Sequence, residues 1–97
     1  MAAYLVANLE VNDAEAYADY RKGVGATIAQ YGGRFLVRGG AVEVLEGQAP
    51  GRVVILEFDS PERLKAWWDS PEYRPLRALR QRASTGDLFM VEGVQSV

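Results

Sequence analysis

Three separated stretches of this chain are apolar at consecutive positions rather than alternate ones: Leu5-Val6-Ala7 with Leu9, Val53 to Leu56, and Leu88 to Val91. Successive residues of a strand point to opposite sides of a sheet, so strands of this kind expect cover on both faces. The cover has to come from what lies between them.

Between the first two stretches, Tyr17, Tyr20, Val24, Ile28 and Tyr31 recur at three- and four-residue steps, which gathers them on one helical face. Asn12 is placed to cap that helix with Glu15 completing a capping box, and Gly32-Gly33 stops it. Arg34 to Arg38 then alternates polar and apolar residues. It resumes as Ala41 to Leu45 after Gly39-Gly40, which reads as one long strand bent by a glycine bulge or as a tight hairpin, the bent strand being favoured. Gly47 to Gly51, with Pro50, is a turn into the strand Arg52 to Phe58.

Asp-Ser-Pro-Glu occurs at Asp59 to Glu62 and again at Asp69 to Glu72, each time a serine cap before a proline and an acid. The first opens a short helix bearing Leu64, Trp67 and Trp68. The second opens a longer one bearing Tyr73, Leu76, Leu79 and Ala83, which Gly86-Asp87 is expected to close before a last strand, Leu88 to Glu92.

The order strand, helix, strand, strand, helices, strand predicts a ferredoxin-like βαββαβ α+β fold: an antiparallel sheet with its helices on one face. No helix is left for the other face. The simplest cover is a second copy of the same sheet, so residues 1–97 are expected to be one domain of a dimeric α+β barrel and the partner a homodimer mate. With 97 residues, such a domain buries only about two-thirds of its unfolded surface, and a partner adds burial it lacks.

Charge and composition narrow the function. The 11 basic and 13 acidic residues are interspersed, which leaves no footprint for nucleic acid. Neither a secretory leader nor an apolar run of membrane-spanning length is read, so a cytoplasmic protein without a membrane partner is expected. Cysteine and histidine are both absent. That removes disulfides, thiol nucleophiles, histidine bases, a Ser-His-Asp triad, a histidine haem ligand and the usual zinc sites, and with no local acidic cluster for a carboxylate site, no metal or cofactor is expected.

The run Gly32-Gly33-Arg34-Phe35-Leu36-Val37-Arg38-Gly39-Gly40, then Glu46-Gly47, Arg52-Val53-Val54 leading to Glu57-Phe58, Ser70-Pro71-Glu72-Tyr73 with Arg80, and Val91-Glu92-Gly93 resemble the bacterial family catalogued as domain of unknown function 1330. The resemblance spans essentially the whole chain. It implies the dimeric α+β barrel superfamily, which includes cofactor-independent monooxygenases, haem-degrading enzymes, muconolactone-isomerase-like proteins and stress-response proteins. A fold shared by such unlike chemistries does not choose among them.

Polar side chains set in apolar strands are the best site candidates, because burial is unfavourable unless they meet a partner or ligand. Asn8, Arg38, Glu57 and Glu92 qualify; alternation puts Asn8 with Tyr4 and Val6, and Glu57 with Val53 and Ile55. The structural alternative is an ion pair such as Arg38 with Glu57. In the functional reading a small, partly apolar organic molecule lies between sheet and helices. Glu57 is then its acid or base and Arg38 or Arg80 its anion clamp, Tyr73 or Asn8 orients it, and Trp67, Trp68 and Tyr73 offer a flat apolar wall. Core packing is the favoured role for Trp67 and Tyr73, and the rival function is a non-catalytic stress-related or interaction protein.

Overall fold

A computed structural model describes residues 1–94 of the chain, so the last three residues of the expected 1–97 domain lie outside the described residues. Its elements are β1 (Ala3–Val11), α1 (Ala14–Gln30), β2 (Arg34–Arg38), β3 (Arg52–Phe58), α2 (Pro61–Trp68), α3 (Arg74–Ala83) and β4 (Ser84–Glu92). The strands form one antiparallel sheet in the order β2-β3-β1-β4, which is the ferredoxin-like arrangement read from the sequence.

Strand alternation sorts the side chains between two faces. On β1, Ala3, Leu5, Ala7 and Leu9 are buried, while Tyr4 and Val6 are half-buried and Asn8 is exposed. The pairings Leu5–Leu56 and Leu5–Met90, Ala7–Val54 and Ala7–Leu88 carry the buried set across the sheet. These residues pack against Tyr17, Tyr20, Val24 and Ile28 of α1, Leu64 and Trp67 of α2, and Ala83 of α3. The opposite face holds Val6, Val53, Ile55, Phe89 and Val91, with Phe89 50% and Val91 45% exposed. No element of the described chain covers it.

Several local expectations are corrected. The cap of α1 is Asp13, whose carboxylate accepts from the Ala16 N–H at 3.1 Å, because the N–H groups of Asn12 and Asp13 both donate to the Ala83 carbonyl and carry the chain one residue further before it turns. The strand before the Gly39-Gly40 pair does not resume at Ala41. Its partner β3 begins only at Arg52, and Gly39, at φ +68°, donates to the Val53 carbonyl at 2.8 Å, so residues 41–45 run past the end of the ladder. The irregularity falls earlier, at Leu36 between Phe35 and Val37, and returns Arg38 to the helix face opposite Val54.

The second Asp-Ser-Pro-Glu opens a turn before it opens a helix. Ser70 accepts from the Tyr73 N–H at 3.1 Å, yet α3 starts at Arg74 with Pro75 in its first turn. Gly86 and Asp87 sit inside β4 instead of closing α3, since the nine-residue β1 pairs from Ala3–Glu92 to Val11–Ser84 and draws those residues into the ladder. Among the described residues no helix is long and apolar enough to cross a membrane.

Candidate functional site

Between the helix face of the sheet and α1 and α3 lies a cleft. Its floor is Leu5, Ala7 and Leu9 of β1 with Val54, Leu56 and Leu88, and one wall is Tyr17, Tyr20 and Val24 of α1. Four arginines complete it: Arg21, Arg38, Arg52 and Arg80. The free space is about 410 Å³ counted out to the open mouth, but the closed interior accepts the centres of water molecules over only about 30 Å³, room for roughly two waters.

Three of these arginines, Arg38, Arg52 and Arg80, are held by something other than an acid. Arg80 points inward from α3, is 4% exposed, and donates from Nε to the Tyr73 hydroxyl at 3.5 Å, with its guanidinium 5.8 Å from the Trp68 ring centre. Arg52 donates from Nε to the Tyr17 hydroxyl at 3.1 Å, and Arg38 lies 4.2 Å above the Phe35 ring and donates to the Arg21 carbonyl at 3.3 Å. Ion pairs among the described residues join Lys22–Asp19, Arg34–Glu57, Arg34–Asp59 and Arg77–Asp69, and none involves a cleft arginine.

The tyrosines are fixed from behind. Tyr73 is fully buried and stacks on Trp67 at 4.0 Å between ring centres. Trp67 in turn donates from Nε1 to the Thr27 hydroxyl at 3.0 Å, which donates to the Val24 carbonyl at 2.7 Å. The Tyr20 and Tyr73 hydroxyls are 3.0 Å apart. Burial first, and the Tyr73 hydroxyl second, hold the Tyr20 phenol far above the ordinary tyrosine range, so it stays protonated.

The residues singled out from the sequence divide between the two sides of the sheet. Arg38 and Arg80 line the cleft, and Tyr73 stands directly behind Tyr20. Trp67 is fully buried beneath Tyr73 and does not reach the cleft, while Trp68 lines a separate, more open hollow of about 460 Å³, counted out to its mouth, with Leu64 and Met90 beside β4. Glu57 and Asn8 are on the opposite face. Glu57 is bound by Arg34, at 2.7 Å from Nε and 2.6 Å from Nη2, so the pair imagined between Glu57 and Arg38 does not form: the register sets Arg34 across from Glu57 and Arg38 across from Val54. The Glu57 carboxylate beside Tyr4 also raises that phenol's pKa. Asn8 accepts from the Gly51 N–H at 2.8 Å and so ties the turn before β3 to β1. The exposed end of the last strand takes Glu92 away from the cleft as well.

Sequence reasoning passed over Tyr17, Tyr20 and Arg52. The tyrosines read as part of an apolar helical stripe, where a hydroxyl leaves no mark. Arg52 did leave a signal, since alternation with Val54 and Leu56 places it on the helix face.

The model of the family described as domain of unknown function (DUF1330) matches residues 2–94. The chain is a DUF1330 protein. No curated protein matches it in sequence. Among solved structures, this DUF1330 chain is similar to a protein of unknown function from Rhodopseudomonas palustris, with 21% identity, a TM-score of 0.78, and coverage of 98% of this chain and 84% of that one. SnoaB, a cofactor-independent oxygenase from Streptomyces nogalater, follows at 12% identity and a TM-score of 0.63, over 99% of this chain and 96% of that one. A dimeric protein of unknown function and ferredoxin-like fold from Bacteroides fragilis matches at 13% identity and a TM-score of 0.53, over 95% of each chain. At these identities the likeness concerns the fold.

Proposed function

We propose that this DUF1330 protein is a homodimer that binds a small, partly apolar organic molecule in its sheet–helix cleft, and that it acts on that molecule without a cofactor, in the manner of an oxygenase or isomerase. The observation that carries the reading is the cleft itself: an apolar floor, a wall of clamped tyrosines, and arginines with no acid to neutralise them. Small-molecule sites have this composition, mostly apolar with a few fixed polar groups. The fold's likeness to a cofactor-independent oxygenase supports the chemical class.

In this reading Arg38 and Arg80 hold the ligand and Tyr73 orients it through Tyr20. Glu57 and Asn8 serve the other face, which a second copy covers. Val6, Val53, Ile55, Phe89 and Val91 form the centre of that interface and the Arg34–Glu57 pair lies toward its β2 edge. A dimeric neighbour of the same fold supports the assembly. Residues 41–45, which leave Val42, Val44 and Leu45 exposed beyond the sheet, are apolar enough to reach the partner.

The narrow interior favours a second reading, a non-catalytic protein whose cleft is only packing. Titrating the labelled protein with aromatic and aliphatic acids, alcohols and amides, and following amide NMR shifts, separates the two. Saturable shifts confined to Tyr17, Tyr20, Val24 and Leu88 are expected from a ligand site. Their absence across the whole set would remove it.

A further inference from the structure

We infer that the cleft selects an organic carboxylate: a flat anionic group on an apolar body, received by the guanidinium of Arg80 and the hydroxyl of Tyr20, with Arg38 and Arg52 closing the mouth. This deepens the proposed function and rests on it.

The first ground is a charge imbalance. The chain carries a net charge of −2, yet every ionisable side chain lining the cleft other than its two tyrosines is an arginine, and no carboxylate, amide or carbonyl side chain lines it. A protein with more acids than bases that gathers cations around an apolar floor has an anion-attracting field there.

The second is Arg80. A guanidinium that is almost wholly buried costs folding free energy unless it is paired or fully hydrogen-bonded. Only its Nε has an acceptor among the described residues. No enclosed polar side-chain atom among them lacks a partner, so the terminal nitrogens are not sealed off, and Arg80 is a lining residue of the cleft. A carboxylate there would meet two parallel N–H donors in the geometry that suits a guanidinium.

The third is the direction of the hydrogen bonds. An arginine N–H can only donate. Tyr73 is fully buried and its proton has no acceptor among the described residues except the Tyr20 oxygen, so the arrangement that satisfies it has Tyr73 donating to Tyr20 and leaves the Tyr20 proton for the cleft. At the mouth Arg52 donates to the Tyr17 oxygen, and the Tyr17 proton has no acceptor among the described residues. Two arginine-to-tyrosine chains thus end in O–H donors beside the same apolar floor, and donors in a chain strengthen one another. A site with donors and no acceptors of its own, apart from hydroxyl oxygens already engaged, takes an acceptor. The thin interior favours a planar carboxylate over a tetrahedral oxyanion.

The test compares benzoate, its uncharged analogue benzamide and inorganic phosphate by calorimetry and amide NMR, on the wild type and on Arg80→Met, Tyr20→Phe and Arg52→Gln. Benzoate is expected to shift the cleft residues and to bind at least ~10-fold tighter than benzamide, the order expected of a charge-assisted hydrogen bond. Arg80→Met should lose at least ~10-fold for benzoate and little for benzamide. Its unliganded form should melt no lower than the wild type, because an unpaired buried charge is gone; a purely structural arginine would give a clear drop. If Arg80→Met does not fold, Arg52→Gln carries the same comparison from the mouth, and an unchanged benzoate preference there overturns the inference. Equal binding of benzamide and benzoate in the cleft overturns it while leaving the small-molecule reading intact. Phosphate saturating the cleft as well as benzoate does likewise. No shifts with any probe would remove the small-molecule reading itself.

Discussion

The hydroxyls of Tyr20 and Tyr73 meet at 3.0 Å inside the protein, one on α1 and the other at the entry to α3. The contact joins two helices that close the same cleft, and it links a core residue, Tyr73, to a cleft residue, Tyr20. Removing the two oxygens should therefore have unequal effects. Tyr73→Phe leaves both the Arg80 Nε–H and the Tyr20 hydroxyl without their partner and is expected to cost about 2–4 kcal/mol in urea unfolding, whereas Tyr20→Phe strands a single group and should cost about 1–2 kcal/mol. Equal losses would mean that Arg80 does not depend on Tyr73.

Glu57→Gln probes the division between the two faces of the sheet. The pair with Arg34 is partly solvated, so the loss of stability should stay below about 1 kcal/mol. Ligand affinity should not change, because Glu57 is across the sheet from the cleft. The Tyr4 phenol, its pKa raised by the Glu57 carboxylate, should titrate at lower pH in the variant, as read by ultraviolet absorbance. A fall in affinity at unchanged stability would return Glu57 to the site.

A second pH effect comes from Tyr31, which donates to Glu72 at 2.7 Å. That hydrogen bond, first among the causes, lowers the Glu72 pKa and raises that of Tyr31. A lowered carboxylate contributes stability that is present above its unfolded pKa and lost as pH falls through the folded value. The raised phenol contributes stability below its unfolded pKa and loses it as pH rises through the folded one. Tyr31→Phe should therefore flatten both the acid and the alkaline ends of the stability profile, and unfolding curves across pH that superimpose on the wild type would contradict this.

The open face gives the assembly prediction. Phe89→Asp introduces a charge where the side chain is half exposed in the single chain, so folding should survive while the dimer does not. Sedimentation equilibrium should give the dimer mass for the wild type and half of it for the variant. A wild type that sediments as a monomer would leave the apolar face unexplained.

The architecture was legible in the sequence because burial writes it there twice: as helical spacing from Tyr17 to Ile28, and as strands apolar on both faces. Asn8 is grouped correctly with Tyr4 and Val6, and Glu57 with Val53 and Ile55, but both are expected in the sheet–helix pocket although that shared side is the open one. What alternation within one strand cannot supply is the relation between strands. The irregularity at Leu36 turned Arg38 to the helix side and left Arg34 to meet Glu57, so a site assembled from Arg38 and Glu57 together lies on both sides of the sheet at once. The cleft tyrosines were hidden for a different reason, since Tyr17 and Tyr20 pack as aromatic rings and bond as hydroxyls, and only the first role has a periodicity. Residues 41–45 look like a strand by pattern, but the ladder ends where β3 does.

Local packing offers a further check at Gly33, where a Cβ would lie 2.5 Å from the Phe58 ring and 2.9 Å from Ile28. Both are core residues at the end of α1 and β3, so neither side has room to give. Gly33→Ala is expected to destabilise by about 1–3 kcal/mol, whereas Gly40→Ala, with nothing within 4 Å, should be nearly silent.

The most direct measurement uses the tyrosines themselves, since they report from different places: Tyr4 on the open face, Tyr17 and Tyr20 at the cleft, Tyr31 near Glu72, and Tyr73 behind Tyr20. In fluorotyrosine-labelled protein followed by ¹⁹F NMR during a benzoate titration, the Tyr17 and Tyr20 signals should move in a saturable way, Tyr73 should follow Tyr20, and Tyr4 and Tyr31 should stay fixed. Movement at Tyr4 with Tyr17 and Tyr20 unchanged, or no movement at any of the five, would contradict a ligand site between the sheet and its helices.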